Sequence, residues 1–296
     1  MERKFAALVL THGRANNVMT VKTLRKHGYT GEIYIVIDDE DEQEEDYRRI
    51  YGDHVKQFRK EAQCRKVDRM NIDVMRKVIL YARNAAFEIA EEIGLTHFVE
   101  LDDDYKSFEW RWGQDGKLKV AKIKNLDAVF ACMLDFLDAT NALTVALAQG
   151  GDFVGGSNGG IAKNKISRKA MNSFFCRVDR PFQFVGAINE DVNTYVSRGN
   201  RGDLFFTVGQ ASLTQAQTQK QSGGMTAEYL DKGTYVKSFH TVMIAPSCVK
   251  ISEMGNKQKR IHHNVLWRYA VPKILNEKWK SEVIAFGDGQ TTQGDK

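Results

Sequence analysis

His97-Phe98-Val99-Glu100-Leu101-Asp102-Asp103-Asp104-Tyr105 is the stretch that decides how the rest of the chain is read. His97–Leu101 has the length and apolar content of a buried strand, and it runs straight into three adjacent carboxylates. Three such groups repel one another strongly unless a cation sits among them. Hard divalent ions such as Mg²⁺ and Mn²⁺ take oxygen ligands and share them with a diphosphate. Taken alone, the triplet reads equally well as an acidic turn with a helix cap. Its position shifts the balance, because ligands of open α/β sheets bind beyond the carboxyl ends of the strands.

The flanking sequence supplies that position. Phe5–Leu10 is an apolar run that predicts a first strand, followed by the loop Thr11-His12-Gly13-Arg14. Asn17–His27 carries Val18, Val21 and Leu24 at helical spacing and stops at Gly28. Glu32–Ile37 is a second, β-branched strand that ends on Asp38-Asp39, which completes a β-α-β unit. A helix is expected over Glu44–Tyr51, a short strand over Val55–Phe58, and a long helix over Met70–Ile93 that carries Arg83-Asn84. His97–Leu101 is then the third main strand of the series.

Further along, Trp110–Val120 predicts a hairpin around Asp115-Gly116, and Asn125–Ala139 a helix. Residues 150–160 form a glycine-rich loop. Val192–Arg198 reads as a helix opened by Glu190-Asp191, Leu204–Val208 as a strand and Gln210–Gly224 as a polar loop. Tyr235–Ala245 is expected as a strand, His263–Leu275 as a helix, and the last residues, 284–296, as a disordered tail. No repeat and no linker divides the chain. The expectation is one α/β domain over 1–283, with about 1–105 binding a nucleotide and about 106–283 binding an acceptor.

Composition excludes several classes. The 296 residues are 42% hydrophobic and 27% charged, which rules out a disordered chain. No apolar run approaches a membrane span, and Met1-Glu2-Arg3-Lys4 lacks a signal-peptide apolar region, so the cytoplasm is expected and no membrane. Cys64, Cys132, Cys176 and Cys248 lie far apart, which argues for reduced thiols rather than zinc or disulfides. The net charge is +5. Lys163, Lys165, Arg168 and Lys169 begin one basic cluster and Lys250–Lys280 holds another; each alone reads as a solvated face, and both together suit a polyanion.

Other residues suggest chemistry less specifically. Glu190 or Asp191 would serve as a general base, or merely as favourable charge at a helix N-terminus. Arg83 would pair with a diphosphate, or lie on a solvated helix face. His240, His262 and His263 are the late candidates for a third metal ligand, with no spacing to separate them.

In order and spacing, Thr11-His12-Gly13-Arg14, Ile37-Asp38-Asp39, Ala82-Arg83-Asn84 and Leu101-Asp102-Asp103-Asp104-Tyr105 resemble the nucleotide-sugar half of GT-A glycosyltransferases. Glu190-Asp191 resembles the xED motif of that fold. Gly223-Gly224-Met225-Thr226, Gly233–Phe239, Pro246–Lys250, His262–Trp267 and Pro272–Leu275 resemble the TET-associated glycosyltransferase family. That family is encoded largely by bacteriophages and is associated with adding sugars to hydroxymethylated pyrimidines in DNA.

The resemblance implies a GT-A fold with a mixed central sheet. It also implies Mn²⁺ or Mg²⁺, and a donor such as UDP-glucose or UDP-N-acetylglucosamine. By position, Asp102 and Asp103 would face the ribose and diphosphate, and Asp104 would ligate the metal. Which two carboxylates touch the metal stays open, with Asp102 the second choice. Thr11, Arg14, Asp38, Asp39, Arg83 and Asn84 would line the nucleotide, Asp191 or Glu190 would be the base, and His263 or His262 ranks ahead of His240 as the late ligand. The reaction would invert the anomeric carbon, in the host cell cytoplasm. Two alternatives are a GT-A enzyme acting on a glycan or protein, and an inactive DNA-binding module.

Overall fold

A computed structural model describes residues 2–69, 78–164, 166–216, 226–254 and 259–272. The N-terminal part alternates strand and helix: β1 (Phe5–Leu10), α1 (Met19–Lys26), β2 (Glu32–Asp38), α2 (Glu44–Tyr51), β3 (Val55–Phe58), α3 (Lys60–Lys66), α4 (Leu80–Glu92) and β4 (His97–Asp102). A hairpin of β5 (Tyr105–Gln114) and β6 (Lys117–Lys122) follows, then α5 (Leu126–Ala139), β7 (Ala142–Ala148), α6 (Gly160–Asn164), β8 (Ile166–Ser167) and β9 (Ser173–Arg177). The last elements are α7 (Glu190–Gly199), β10 (Leu204–Gln215), α8 (Thr226–Ile244), β11 (Val249–Met254) and β12 (Arg260–Val265).

The fold is α/β around a mixed sheet ordered β3-β2-β1-β4-β9-β7-β10-β5-β6, with β8 beside β10. The first four strands are parallel. β9 runs antiparallel to both of its neighbours, β4 and β7. Helices cover both faces, so the central strands are apolar on both sides; Ala6, Ala7, Leu8 and Val9 are all fully buried. Alternation along the strands divides the core. Leu8, Phe98 and Phe174 pack on the α4 and α7 side, whereas Val9, Val99 and Phe175 pack with Leu24 of α1 and Phe130 of α5. Among the described residues no helix is long and apolar enough to cross a membrane.

Three expected elements need correction. Tyr235–Ala245 lies in α8 apart from its last residue, and is not a strand. Ser238 and Thr241, three residues apart, are buried on one helical face, a spacing hidden by the β-branched content of the run. The expected helix from His263 begins in a strand, because His263 pairs with Ile251 in the β11–β12 hairpin. Gln210–Gln215, expected as polar loop, is the end of β10, with Ala211, Ser212 and Leu213 all buried between β7 and β5. Residues 217–225 of that expected loop, the expected helical start 70–77 and the expected tail 284–296 lie outside the described residues. β7 and β9, at the middle of the sheet, are the main elements beyond the sequence-based expectations.

Candidate active site

The three aspartates leave β4 in a turn that α1 holds from below. Thr20 Oγ1 donates to the Asp102 carbonyl at 2.5 Å and accepts from the Tyr105 N–H at 3.0 Å. The Thr20 N–H reaches the Asp103 carbonyl at 3.1 Å. From the far side, the Ala216 N–H at the end of β10 bonds the Asp104 carbonyl at 3.0 Å. The turn is thus pinned by backbone and threonine contacts, which leaves its carboxylates free to face the ends of the strands.

Each carboxylate has different company. Asp103 accepts from Thr11 Oγ1 and from the Arg14 guanidinium, both at 2.6 Å. Tyr47 closes this corner, with its hydroxyl 3.1 Å from Thr11 Oγ1 and 2.8 Å from the Arg14 amide. Asp102 pairs with Arg83 at 3.0 Å, and the Gln215 amide donates to its other oxygen at 3.4 Å. Asp104 has one buried carboxylate oxygen, Oδ1, with no hydrogen-bond partner among the described residues. Burial, with Asp103 beside it, pushes Asp104 up to about 6. Burial and then the neighbouring acids, against the opposing Arg83 charge, push Asp102 up to about 7.

Arg83 is the hub of the site. It is 1% exposed, so it is on no solvated face. Its guanidinium reaches Asp102 at 3.0 Å, Glu190 at 3.1 Å and Glu100 at 3.6 Å, and lies 4.8 Å from the Phe174 ring centroid. One buried cation therefore ties the end of β4 to the start of α7, and its own bond to Glu190 spans 107 residues of sequence. Asn84 is occupied differently: its amide donates to the Leu80 and Phe184 carbonyls and accepts from the Phe184 N–H. It clamps the approach to α7 and is not aimed at a ligand. Asp191 sits beside Glu190 at the α7 N-terminus, and burial, with the Glu190 charge, raises it to about 6. Asn189 before it has φ of 55°, a left-handed turn held by its amide on the Lys237 carbonyl and Thr241 hydroxyl of α8.

At the edge of this cluster, Asp38 binds His12 Nδ1 and Lys60 Nζ, each at 2.8 Å, and Asp39 caps Lys60 N–H at 2.8 Å. Burial acts to raise Asp38, but the bonds from His12 and Lys60 outweigh it and leave it lowered to about 2. The charge balance of the whole site is uneven. Glu100, Asp102, Asp103, Asp104, Glu190 and Asp191 face two guanidinium groups, Arg14 and Arg83, with Lys237 near Asp191. That excess of hard oxygen donors, together with the orphan Asp104 Oδ1, fits a divalent cation.

The model of the TET-associated glycosyltransferase family matches residues 5–224, about three quarters of the sequence. The chain belongs to that family. The match spans all the residues of the Arg83 hub, and the motifs from Gly233 onward lie beyond it. No curated protein matches the sequence. Among solved structures, the glucosyl-3-phosphoglycerate synthase of Mycobacterium tuberculosis, in complex with Mg²⁺ and UDP, is similar with a TM-score of 0.47 and 10% identity, over 89% of this chain and 88% of that one. TarS of S. aureus is similar with a TM-score of 0.41 and 12% identity, over 73% of this chain and 37% of the other.

In this TET-associated glycosyltransferase the late histidines stand on the β11–β12 hairpin and α8, apart from the aspartate turn in sequence. His262 and His263 have ring centroids 4.4 Å apart on β12, and Ser238 of α8 bonds the adjacent Ile261 carbonyl at 3.0 Å. Burial, then His262 and Lys237, pushes His263 down to about 4, so its imidazole is neutral at pH 7; Nδ1 is buried without a partner among the described residues. His240, on α8, is also lowered by burial. Among the described residues no group of three or more His, Cys, Asp or Glu side chains closes into a metal cage. Hence the structure brings Asp102, Asp103, Asp104, Arg83 and Glu190 together, and does not add a histidine to them.

The first basic cluster is weaker than its sequence suggests. Lys169 is ion-paired with the buried Asp152, Lys163 is exposed on α6, Arg168 is half-buried, and Lys165 lies outside the described residues. Sequence reasoning missed Thr20, Tyr47, Glu100 and Gln215. Thr20 and Thr23 carried a signal, as hydroxyl residues buried on the apolar side of α1 beside Leu24. Gln215 carried none, because it sits in a polar stretch that reads as loop.

Proposed function

We propose that this glycosyltransferase has a GT-A fold and moves a hexose from a UDP-linked donor, such as UDP-glucose or UDP-N-acetylglucosamine, to the hydroxymethyl group of a pyrimidine in DNA. The reading rests above all on the Arg83 guanidinium, which joins Asp102 to Glu190 and so makes the aspartate turn and the Glu190-Asp191 pair one site. Asp104 and Asp102 are the residues that would hold Mn²⁺ or Mg²⁺. When bound, the ion would offset the negative charge of the diphosphate as it leaves. Arg14 and Asp39 would orient the nucleotide, and Thr11 and Asp38 set the loop around it.

Asp191 supplies the base. The acceptor hydroxyl oxygen forms a bond to the anomeric carbon, the bond from that carbon to the diphosphate oxygen breaks, and the hydroxyl proton passes to the Asp191 carboxylate. A carboxyl raised to about 6 is ionised at pH 7 yet more basic than a free one, which suits it to that role. Attack from the face opposite the leaving group inverts the anomeric carbon. The family name and the net charge of +5 support the DNA acceptor, and a phage-encoded enzyme of this kind would work in the host cell cytoplasm. The test is mass spectrometry of nucleosides from hydroxymethylated DNA after incubation with the protein, Mn²⁺ and a panel of sugar nucleotides. A hexose mass added to the modified pyrimidine is expected. Transfer only to glycan or protein acceptors would overturn the DNA reading.

A further inference from the structure

The β5–β6 hairpin has two unlike faces, one of them packed at its turn end against the segment after β7. Residues opposite each other on an antiparallel pair share a face, so Arg111 groups with Val120, and Gly113 with Leu118. That face packs on the segment after β7. Arg111 lies 4.9 Å from the Phe153 ring centroid, Leu118 packs against Phe153 and Ile161, and Ser157 bonds the Gly116 carbonyl at 2.7 Å. The other face pairs Trp110 with Ala121, Trp112 with Lys119, and Gln114 with Lys117. Its inner end is core, since Phe108 is fully buried, but Trp110 and Trp112 are each 40% exposed. Together with Arg111, Ala121 and Gln210, they border a shallow depression of about 350 Å³.

Two large indole rings are thus left substantially open to solvent on one strand face. Lys119 and Lys117 stand on the same face, opposite Trp112 and Gln114, and no acid lies among the residues paired there. Indole rings that stack bases, set beside lysines that meet phosphates, are the chemistry of a single-strand binding platform. Six residues of extended chain separate Asp104 from Trp110, about 20 Å along β5. That is the span of a few unstacked nucleotides, so a strand seated here would lead back toward the aspartate turn.

We propose that the Trp110–Trp112 face of the hairpin is a stacking platform for single-stranded or locally opened DNA flanking the acceptor. The proposal deepens the acceptor reading above, and its test does not depend on sugar transfer. Tryptophan quenching by unmodified oligo(dT) is measured for the wild type, and affinity is read from the anisotropy of dye-labelled oligo(dT) at two salt concentrations for the wild type, for Trp110→Ala with Trp112→Ala, and for Lys117→Glu with Lys119→Glu. The four replaced side chains lie on the last two strands of the sheet order, and melting temperatures check that the variants fold. Wild-type quenching is expected, with affinity lowered about tenfold or more by the tryptophan pair and with a shallower salt dependence in the lysine pair. Unchanged affinity in both folded variants would overturn the platform. Quenching by neutral oligosaccharides but not by oligo(dT), or a wild-type dimer that the tryptophan pair abolishes, would overturn it in favour of a glycan or a second copy. A wild type that binds oligo(dT) through this face yet glycosylates no hydroxymethylated DNA would leave the platform standing and remove the acceptor reading.

Discussion

Asp104 combines a buried, partnerless oxygen with a carboxyl pushed up to about 6, and both features arise from crowding like charges in a place that water reaches poorly. A carboxylate crowded by like charge, with one buried oxygen left unpaired among the described residues, is suited to a cation from outside. Asp104→Ala should therefore abolish transfer while leaving the metal-free melting temperature unchanged or higher; a large drop in a thermal melt would mark Asp104 as structural instead. Protons and a cation compete for the same oxygens. Asp102 and Asp104 hold protons up to about pH 7 and 6, so Mn²⁺ should bind more tightly as pH rises through that range and release protons as it does so. Calorimetry of Mn²⁺ binding in buffers of different ionisation enthalpy measures both. Affinity flat from pH 5.5 to 7.5 would count against these ligands.

Among the elements, α4 does two jobs with adjacent residues. Arg83 turns toward the site, while Asn84 ties the helix to Phe184 and thereby sets where α7 begins. Asn84→Ala would leave the buried Phe184 N–H and carbonyl unpaired, at a cost of about 1–3 kcal/mol. Urea unfolding gives the loss directly, and single-turnover transfer should fall with it because Glu190 and Asp191 follow that segment. The strand-and-turn grammar of β1, β2 and β4 was legible in sequence, because continuous apolar runs that give way to Thr11–Arg14, Asp38-Asp39 or Asp102–Asp104 have few readings other than strands. Glu190-Asp191 was legible as the opening of a helix. What was not legible depended on distant partners. Arg83 reads as a solvated helix residue until Glu100, Asp102 and Glu190 converge on it. β9, five residues long with Phe174 and Phe175 buried on opposite faces, is too short to announce a period. The β-branched run in α8 and the histidine pair in β12 have local preferences that tertiary packing overrides.

At the scale of the whole molecule, the folding equilibrium should carry an acid signature from Asp38. Its carboxylate is lowered to about 2 in the folded state against 3.8 ordinarily, by His12 and Lys60 in spite of burial. A depressed carboxylate adds stability that is fully present above about pH 4 and disappears as pH falls through about 2. Asp38→Asn should thus be less stable than the wild type at pH 7 in urea unfolding, and the gap should close between about pH 4 and 2. A gap that stays constant over that range would show that the pairing contributes nothing to folding.

The placement of β9 also governs the order in which the chain can become a protein. β4 lies at the centre of the sheet, yet one of its edges is closed only by residues 173–177, which the ribosome adds some seventy residues after β4 is made. Until then the nascent polypeptide shows an apolar strand with a row of unsatisfied amides and carbonyls, the kind of edge that invites pairing with other chains. The segments before and after Tyr105 are therefore joined through the centre of the sheet, although the sequence suggests a natural division there. A fragment ending at residue 105 should aggregate on gel filtration, and refolding of the intact chain should be slow for its size because its central closure is so non-local.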